Sequence, residues 1–186
     1  MLEAGKTSMA NRVVKKWLGA VNELCDELAK QWMAAKNTYK KSKFYSEADI
    51  VCRLYKRLDK RKVLGDHYYL HTEYNAWSDK KNKRKRMDLA ILDENEKIIF
   101  GVEIKYAWYN GTFNLSVHRL ITQYKRMRKI EKIRGAIIFY DADVENKEDC
   151  KNHLKYFKKE FTKAITQNTS NIEIFYVSKT GKKQIK

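Results

Sequence analysis

The sequence predicts an α/β fold in which a mixed central β-sheet is flanked by helices. Two apolar runs rich in β-branched residues, 84–92 and 98–108, are separated by five polar residues, a pattern typical of an antiparallel hairpin. A helical pattern and then a buried apolar run, 135–140, follow the hairpin, which indicates a parallel, right-handed crossover. A long amphipathic pattern precedes all of these segments.

The first 43 residues are predicted to form a helical extension that packs on a core domain spanning residues 44–186. Apolar side chains recur with helical spacing between residues 8 and 36, and they would face that core. The alternative interpretation of this stripe is the seam of a homodimer, for which almost three heptads are few. Residues 36–43 are polar and basic and are predicted to be a linker. The stripe consists of Val14, Trp17, Leu18, Val21, Leu24, Cys25, Leu28 and Trp32.

A second helix is predicted to begin after Ser46, which offers an N-cap with Asp49 at the reciprocal position. Glu47 lies three and four residues before the first two buried positions of this helix, so its side chain points toward the sheet. The carboxylate either belongs to a functional site or is stabilised by the positive end of the helix. The residues from His67 to Trp77 alternate loosely and are predicted to be the first strand. The buried positions of the helix are Ile50, Val51, Leu54 and Leu58.

Three chemically matched side chains are predicted to converge on one face of the hairpin. A turn centred in the polar break places Asp88 opposite Glu103, with Cβ atoms about 5 Å apart. Lys105 lies two residues further and projects from the same face. Carboxylates this close repel unless they share a proton or a cation, and their oxygens suit Mg²⁺ or Mn²⁺. The lysine could orient or activate a water, or neutralise charge on a phosphorane. The alternative is the salt-bridged edge of an ordinary sheet.

The aspartate and the downstream Glu-Ile-Lys triplet resemble the core motif of the PD-(D/E)xK nuclease superfamily. This superfamily includes restriction-endonuclease-like and Holliday-junction-resolvase-like enzymes, and the resemblance covers residues 44–145. It implies a restriction-endonuclease-like αβββαβ core behind the N-terminal helical extension. Met87 stands before Asp88 in place of the proline of the motif. A second Glu-x-Lys, at 145–147, lies in a polar run and is predicted to be a loop.

The resemblance also implies a set of site residues and a cofactor. Asp88 and Glu103 would bind Mg²⁺ or Mn²⁺, and the backbone carbonyl of Ile104 would add a ligand. Lys105 would position or activate the attacking water. Glu47 matches the place of a glutamate on the first helix that commonly completes the metal site, so it is a candidate catalytic residue and accessory ligand.

The helix after the hairpin is predicted to be capped by Asn114 and to run to residue 132. Gln123 borders its buried stripe. Several branches of the superfamily carry a glutamine on this helix near the site, so Gln123 is a weaker candidate; an ordinary surface amide explains it equally well. The buried stripe consists of Val117, Leu120, Ile121, Tyr124, Met127 and either Ile130 or Glu131.

The charge of the chain indicates a polyanionic partner, because 40 basic residues exceed 23 acidic residues and leave a net charge of +17. Twelve tyrosines and four tryptophans add surfaces on which bases could stack. Nucleic acid is the first candidate and an anionic membrane surface the second, but neither a membrane-span-length apolar run nor a concentrated basic amphipathic helix is present. The residues predicted to contact phosphates are Lys80, Lys81, Lys83, Arg84, Lys85 and Arg86, in a predicted loop, and Arg119, Lys125 and Arg126 on the helix after the hairpin.

We therefore expect a divalent-metal-dependent nuclease that hydrolyses phosphodiester bonds in duplex or branched DNA, acting as an endonuclease. The alternatives are a junction resolvase acting as a homodimer and a basic nucleic-acid-binding protein without catalysis. Three distant cysteines without metal-ligand spacing indicate reduced thiols and an intracellular location, cytoplasmic or nucleoid-associated. Beyond the crossover we expect a helix around 154–165, a strand at 172–177 and a frayed basic tail from 179 to 186.

Overall fold

A computed structural model describes most of the chain as one mixed β-sheet with helices on both faces. The described residues are 2–34, 46–78, 84–107, 112–130, 133–142, 147–165, 171–178 and 180–185. The elements are α1 (Leu2–Ala34), α2 (Glu47–Leu58), α3 (Arg61–Leu64), β1 (Tyr69–Ser78), β2 (Arg84–Leu92), β3 (Ile98–Ala107), α4 (Phe113–Met127), β4 (Arg134–Asp141), α5 (Lys147–Ala164), β5 (Asn171–Ser178) and β6 (Gly181–Gln184).

The sheet contains six strands in the order of the sequence, from β1 at one edge to β6 at the other. β1 and β2 are antiparallel, as are β2 and β3. β3, β4 and β5 run parallel to one another, and β6 is antiparallel to β5. The parallel passage from β3 through α4 to β4 is the predicted crossover. The predicted α/β class with a mixed sheet is therefore confirmed.

The β2–β3 hairpin has the predicted register. Leu89 pairs with Val102, and the ladder shifts by one residue beside the turn. Asp93 organises that turn, because its carboxylate accepts the backbone N–H groups of Asn95 and Lys97 at 3.0 and 2.9 Å.

Each face of the sheet is covered by its own helices and has its own core. On one face, α1 and α2 pack over the side chains of Leu89, Val102 and Ile104. On the other face, α4 and α5 enclose an aromatic core that includes Phe139 and Phe157. Adjacent residues of β4, such as Ile138 and Phe139, therefore contribute to opposite cores, as strand alternation requires.

The apolar stripe of α1 packs on the core of the same chain. Trp17 and Leu24 are fully buried there, and the indole N–H of Trp17 donates to the carbonyl oxygen of Val63 at 3.0 Å. α2 is held against α1 by Glu27, which forms ion pairs with Arg53 and Arg57. α1 is 33 residues long, yet within the described parts of the chain no helix is both long and apolar enough to cross a membrane.

The predicted frayed tail is wrong, because residues 181–184 form strand β6. Gly181 adopts φ +119°, which allows the tight turn from β5 into β6. Lys182 then reaches across to α1, where it bonds Asp26 at 2.8 Å and Asn22 at 2.6 Å. The basic end of the chain is thus anchored by ladder hydrogen bonds and by Asp26 and Asn22 of the first helix.

Three other local predictions differ from the structure. Asn114 lies inside α4, and Thr112 occupies the N-cap position without a side-chain cap bond, so the predicted cap is wrong. α4 ends at Met127 rather than near residue 132. Arg84, Lys85 and Arg86 belong to β2, and the first two pair with Ser78 and Trp77 of β1, so that part of the basic run is strand rather than loop. The predicted linker 36–43 lies outside the described residues.

Candidate active site

The sheet forks at the point where the predicted site lies. Pairing between β2 and β3 extends as far as Leu89 and Val102, whereas pairing between β1 and β2 continues to Ser78 and Arg84. Residues 74–78 and 84–87 thus form a two-stranded extension, here called the hairpin arm. The side chain of Met87, fully buried, packs into the core beneath α4. Beyond Val102, β3 therefore pairs with no strand on its β2 side among the residues that the structure describes.

Two carboxylates lie along the edge of β3 from which β2 has diverged. The backbone N–H of Ile104 donates to Oδ2 of Asp88 at 2.7 Å, and the N–H of Tyr106 donates to Oε1 of Glu47 at 3.2 Å. N–H groups two residues apart point to the same edge of a strand, and the opposite edge of β3 pairs with β4. The backbone of β3 therefore fixes both Asp88 and Glu47.

Glu103 is the most unusual carboxylate in the structure. It is 0% exposed, and neither of its oxygens has a hydrogen-bond partner of good geometry among the described residues. Burial, with the neighbouring charge of Asp88 as the second cause, raises the pKa of Glu103 to about 9. Burial also raises the pKa of Asp88, against the hydrogen bond from Ile104 and the charge of Lys105. A buried, unsatisfied carboxyl group is costly, so this position calls for a proton or a cation.

Lys105 completes the cluster. Its Nζ donates to Oε2 of Glu47 at 2.7 Å, and only 16% of its side chain is exposed. Its charge lowers the pKa values of both Asp88 and Glu103, against the dominant effect of burial, which places the ammonium within electrostatic range of both groups. The structure thus brings together the four residues that the sequence singled out, and their roles stay predictions.

The donor set fits a small, hard cation. Among the described residues, no group of three or more His, Cys, Asp and Glu side chains is placed to hold a metal. Mg²⁺ is commonly held by only one or two carboxylates together with waters and substrate phosphates. Asp88 and Glu103 supply such a pair, and the unsatisfied oxygens of Glu103 are suitable ligands. The carbonyl of Ile104 points to the same strand edge as its N–H, beside Asp88.

Both carboxylate oxygens of Glu47 accept hydrogen bonds from β3. One accepts from Nζ of Lys105 and the other from the backbone N–H of Tyr106. Its place at the start of α2 follows from the Ser46 cap, whose hydroxyl accepts the N–H of Asp49 at 3.3 Å. In this arrangement Glu47 holds the side chain of Lys105, and its role as an accessory ligand stays a prediction.

Gln123 lies on α4, half-buried, and its side-chain oxygen is buried without a partner among the described residues. No hydrogen bond in the described part of the chain joins it to the four-residue cluster. Its membership of the site therefore stays a prediction.

The described residues among the predicted phosphate contacts lie on two elements, β2 and α4. Arg86, on the hairpin arm, is exposed and pairs with Glu73 of β1. On α4, Arg119 and Lys125 are exposed and Arg126 is half-buried. The side chains of Arg84 and Lys85, and all of Lys80, Lys81 and Lys83, lie outside the described residues.

A second polar cluster was missed from the sequence. Asp141, fully buried at the end of β4, accepts a hydrogen bond from the hydroxyl of Tyr176 and pairs with Nδ1 of His153 at 2.9 Å. His153 stacks on Phe113 with ring centres 3.8 Å apart. Asp141 pairs with Ala107, two residues past Lys105, so the cluster lies at the same end of the sheet. The only signal in the sequence was an aspartate directly after a buried strand.

Comparisons with protein-family models, with curated proteins and with solved structures give no significant match for this chain. The resemblance to the PD-(D/E)xK superfamily therefore rests on the residues and the geometry of the chain itself.

Proposed function

We propose that this protein is a divalent-metal-dependent nuclease of the PD-(D/E)xK type that hydrolyses phosphodiester bonds in DNA. One observation carries the proposal: Glu103 is fully buried beside Asp88, and neither of its oxygens makes a hydrogen bond of good geometry with a described residue. A sheet without such a function would be more stable with apolar side chains at these positions, because unpaired buried carboxyl groups are unfavourable.

The arrangement of elements supports a restriction-endonuclease-like core. From α2 to β4 the chain runs helix, three strands, helix and strand, with the short α3 inserted after the first helix. This is the αβββαβ order that the motif implies. The motif residues lie on β2 and β3 at the fork, and Glu47 begins the first helix.

Asp88, Glu103 and the carbonyl of Ile104 would hold Mg²⁺ or Mn²⁺. When bound, such a cation neutralises charge on the carboxylates and the phosphate and lowers the pKa of a bound water. Lys105, held by Glu47, presents an ammonium beside the two carboxylates, where it would orient the attacking water or a phosphate oxygen. Burial of this site limits competition from bulk solvent for these interactions.

The substrate proposal rests on charge. The net charge of +17 favours a polyanion, and exposed cations lie on the hairpin arm (Arg86) and on α4 (Arg119 and Lys125). Phosphate contacts of this kind bind the backbone without reading base sequence. DNA, as duplex or branched substrate, is the partner that this distribution of charge suits.

The test is incubation of the purified protein with linear, supercoiled, single-stranded and four-way-junction DNA, with Mg²⁺, with Mn²⁺ and with a chelator. We expect cleavage only with a divalent ion, and no cleavage by Glu103→Gln. Glu94→Gln, which changes an exposed carboxylate in the β2–β3 turn, is the matched control and should cleave normally.

Two outcomes would change the interpretation. An inert wild-type protein that binds all four DNA forms tightly without metal would overturn the nuclease proposal and favour a binding protein. Cleavage restricted to the four-way junction would identify the nuclease as a resolvase, the homodimeric alternative.

A further inference from the structure

Helix α5 carries an unusual concentration of positive charge on its solvent side. Phe157 and Phe161 are fully buried against the sheet. The opposite side is lined by exposed lysines. They are Lys147, Lys151, Lys155, Lys158, Lys159 and Lys163.

The spacing of these lysines disfavours the helix. Lys151, Lys155 and Lys159 follow one another at four-residue intervals, and like charges at this spacing destabilise a helix by about 0.2–0.5 kcal/mol per pair. A helix face that serves only solubility gains from alternating charges. The like-charge series therefore suggests that the face meets negative charge from outside the chain.

The acids of α5 leave the middle of this series unneutralised. Glu148 pairs with Lys151 at 3.5 Å near the start of the helix, and Glu160 pairs with Lys163 at 2.6 Å near its end. Lys155, Lys158 and Lys159 have no ion pair with any residue that the structure describes.

The neighbouring helix extends the same surface. The hydroxyl of Tyr156 lies 3.3 Å from Nε2 of His118, which joins the solvent sides of α5 and α4. The pKa of Glu160 is lowered by the hydrogen bond from Lys163, and Lys159 and His118 contribute to the same direction, so this carboxylate lies among basic side chains of both helices. We call the exposed cations of the two helices the α4–α5 basic surface.

On the opposite face of the molecule, several cations pair with acids of neighbouring elements. Arg53 and Arg57 of α2 pair with Glu27 of α1, and Lys182 pairs with Asp26. These three cations thus hold elements of the protein together, whereas those in the middle of α5 do not. The asymmetry assigns the polyanion to the side of the sheet covered by α4 and α5.

We propose that the α4–α5 basic surface, centred on Lys155, Lys158 and Lys159, binds the phosphate backbone of duplex DNA that flanks the cleavage site. The inference rests on the proposed function for the identity of the polyanion. Both helices follow strands whose ends lie at the site, β3 and β4, so the surface leads away from the fork. An 18-residue helix is about 27 Å long, the rise of about eight base pairs.

The test compares two triple variants in binding to duplexes of about 10 and about 30 base pairs, a pair chosen from that footprint. The first replaces Lys155, Lys158 and Lys159 by Gln, and the control replaces the exposed Lys15, Lys30 and Lys56 of α1 and α2 by Gln. Fluorescence anisotropy in chelator over a range of salt concentrations measures affinity without cleavage, and circular dichroism checks that both variants fold. For the first variant and the longer duplex we expect about tenfold weaker binding and a salt slope smaller by about 2 to 3.

The control variant should differ from wild type by less than about twofold on both duplexes, since its lysines lie on α1 and α2. The first variant should lose affinity for the short duplex as well, because about ten base pairs still cover the footprint of α5. Equal losses from both triple variants would overturn the proposal, because general charge would then suffice. Unchanged affinity of the first variant, or loss limited to single-stranded DNA, would also overturn it. These measurements use no metal, so a wild-type protein that binds as described but never cleaves would reject the nuclease proposal and leave the surface standing.

Discussion

Lys105 at the end of β3 donates a hydrogen bond to Glu47 at the start of α2, with 2.7 Å between Nζ and Oε2. The other oxygen of Glu47 accepts the backbone N–H of Tyr106, the residue after the lysine. A single carboxylate thus fixes both the backbone and the side chain of this segment. This contact holds the lysine within electrostatic range of Asp88 and Glu103.

Glu47→Gln should slow cleavage by about 10- to 100-fold. The amide oxygen can still accept the Tyr106 N–H, but the glutamine has no charge with which to hold the ammonium of Lys105. The rate should stay low at saturating Mg²⁺, because the lost function is positioning of the lysine. Stability should change little, since 38% of the Glu47 side chain is exposed and such pairs are screened by solvent. Recovery of the full rate at high Mg²⁺ would instead identify Glu47 as an accessory ligand.

Asp88→Ala and Lys105→Ala should each reduce the cleavage rate by at least about 100-fold while DNA affinity in chelator stays within about twofold of wild type. Both residues contact the reacting centre in the proposed mechanism, whereas binding depends on cations spread over the surface. Lys97→Ala, an exposed lysine in the β2–β3 turn, is the matched control for loss of one positive charge. Either variant cutting DNA at the wild-type rate in a single-turnover assay would reject the site.

The buried Glu103 should make the metal-free protein less stable as pH rises. Its pKa in the folded protein is about 9, above the ordinary carboxyl value of 4.5, so between these values the folded state holds a proton that the unfolded chain has released. The free energy of unfolding therefore falls as pH rises through this window. Thermal unfolding at pH 5, 7 and 9 in chelator should report the trend.

Glu103→Gln should flatten that trend and raise the melting temperature at pH 8, because a neutral amide needs no proton in the buried site. Added Mg²⁺ should narrow the gap between wild type and variant by binding to the wild-type carboxylates. Glu94→Gln should follow the wild-type curve at every pH. A Glu103→Gln protein that loses stability with pH as steeply as wild type would refute the assignment of the trend to this group.

The parts of the site that the sequence predicted depend on local rules. The register of β2 and β3 follows from side-chain alternation and from the turn after Asp93, all within one hairpin. The inward direction of Glu47 follows from the 3.6-residue period and the Ser46 cap. The hydrogen bond between Asp88 and the N–H of Ile104 was not predicted, because simple pairing rules do not foresee a fork in the sheet.

The features that the sequence did not reveal depend on distant partners. Strand β6 forms because β5 offers an edge and because Asp26, far away in the chain, receives Lys182. Asp141 becomes an acceptor only because the fold brings Tyr176 and His153 to it. Periodicity carries no information about such contacts.

The close approach of β3 and β4 near the site gives a prediction for the free energy of unfolding, which can be measured without an activity assay. Gly135 pairs with Gly101, and a Cβ at residue 135 would lie 2.1 Å from the carbonyl oxygen of Gly101, a backbone atom that cannot turn aside. Gly135→Ala should therefore destabilise the protein by about 3 kcal/mol in urea unfolding. It should also slow cleavage, because displacing β3 at residue 101 moves Glu103. Gly19→Ala is the matched control, since a Cβ there meets nothing within 4 Å and alanine favours helix α1 by about 1 kcal/mol. Equal tolerance of both substitutions would mean that the two strands are further apart than this geometry requires, and Glu103 would then lose the tight backbone support on which its buried position depends.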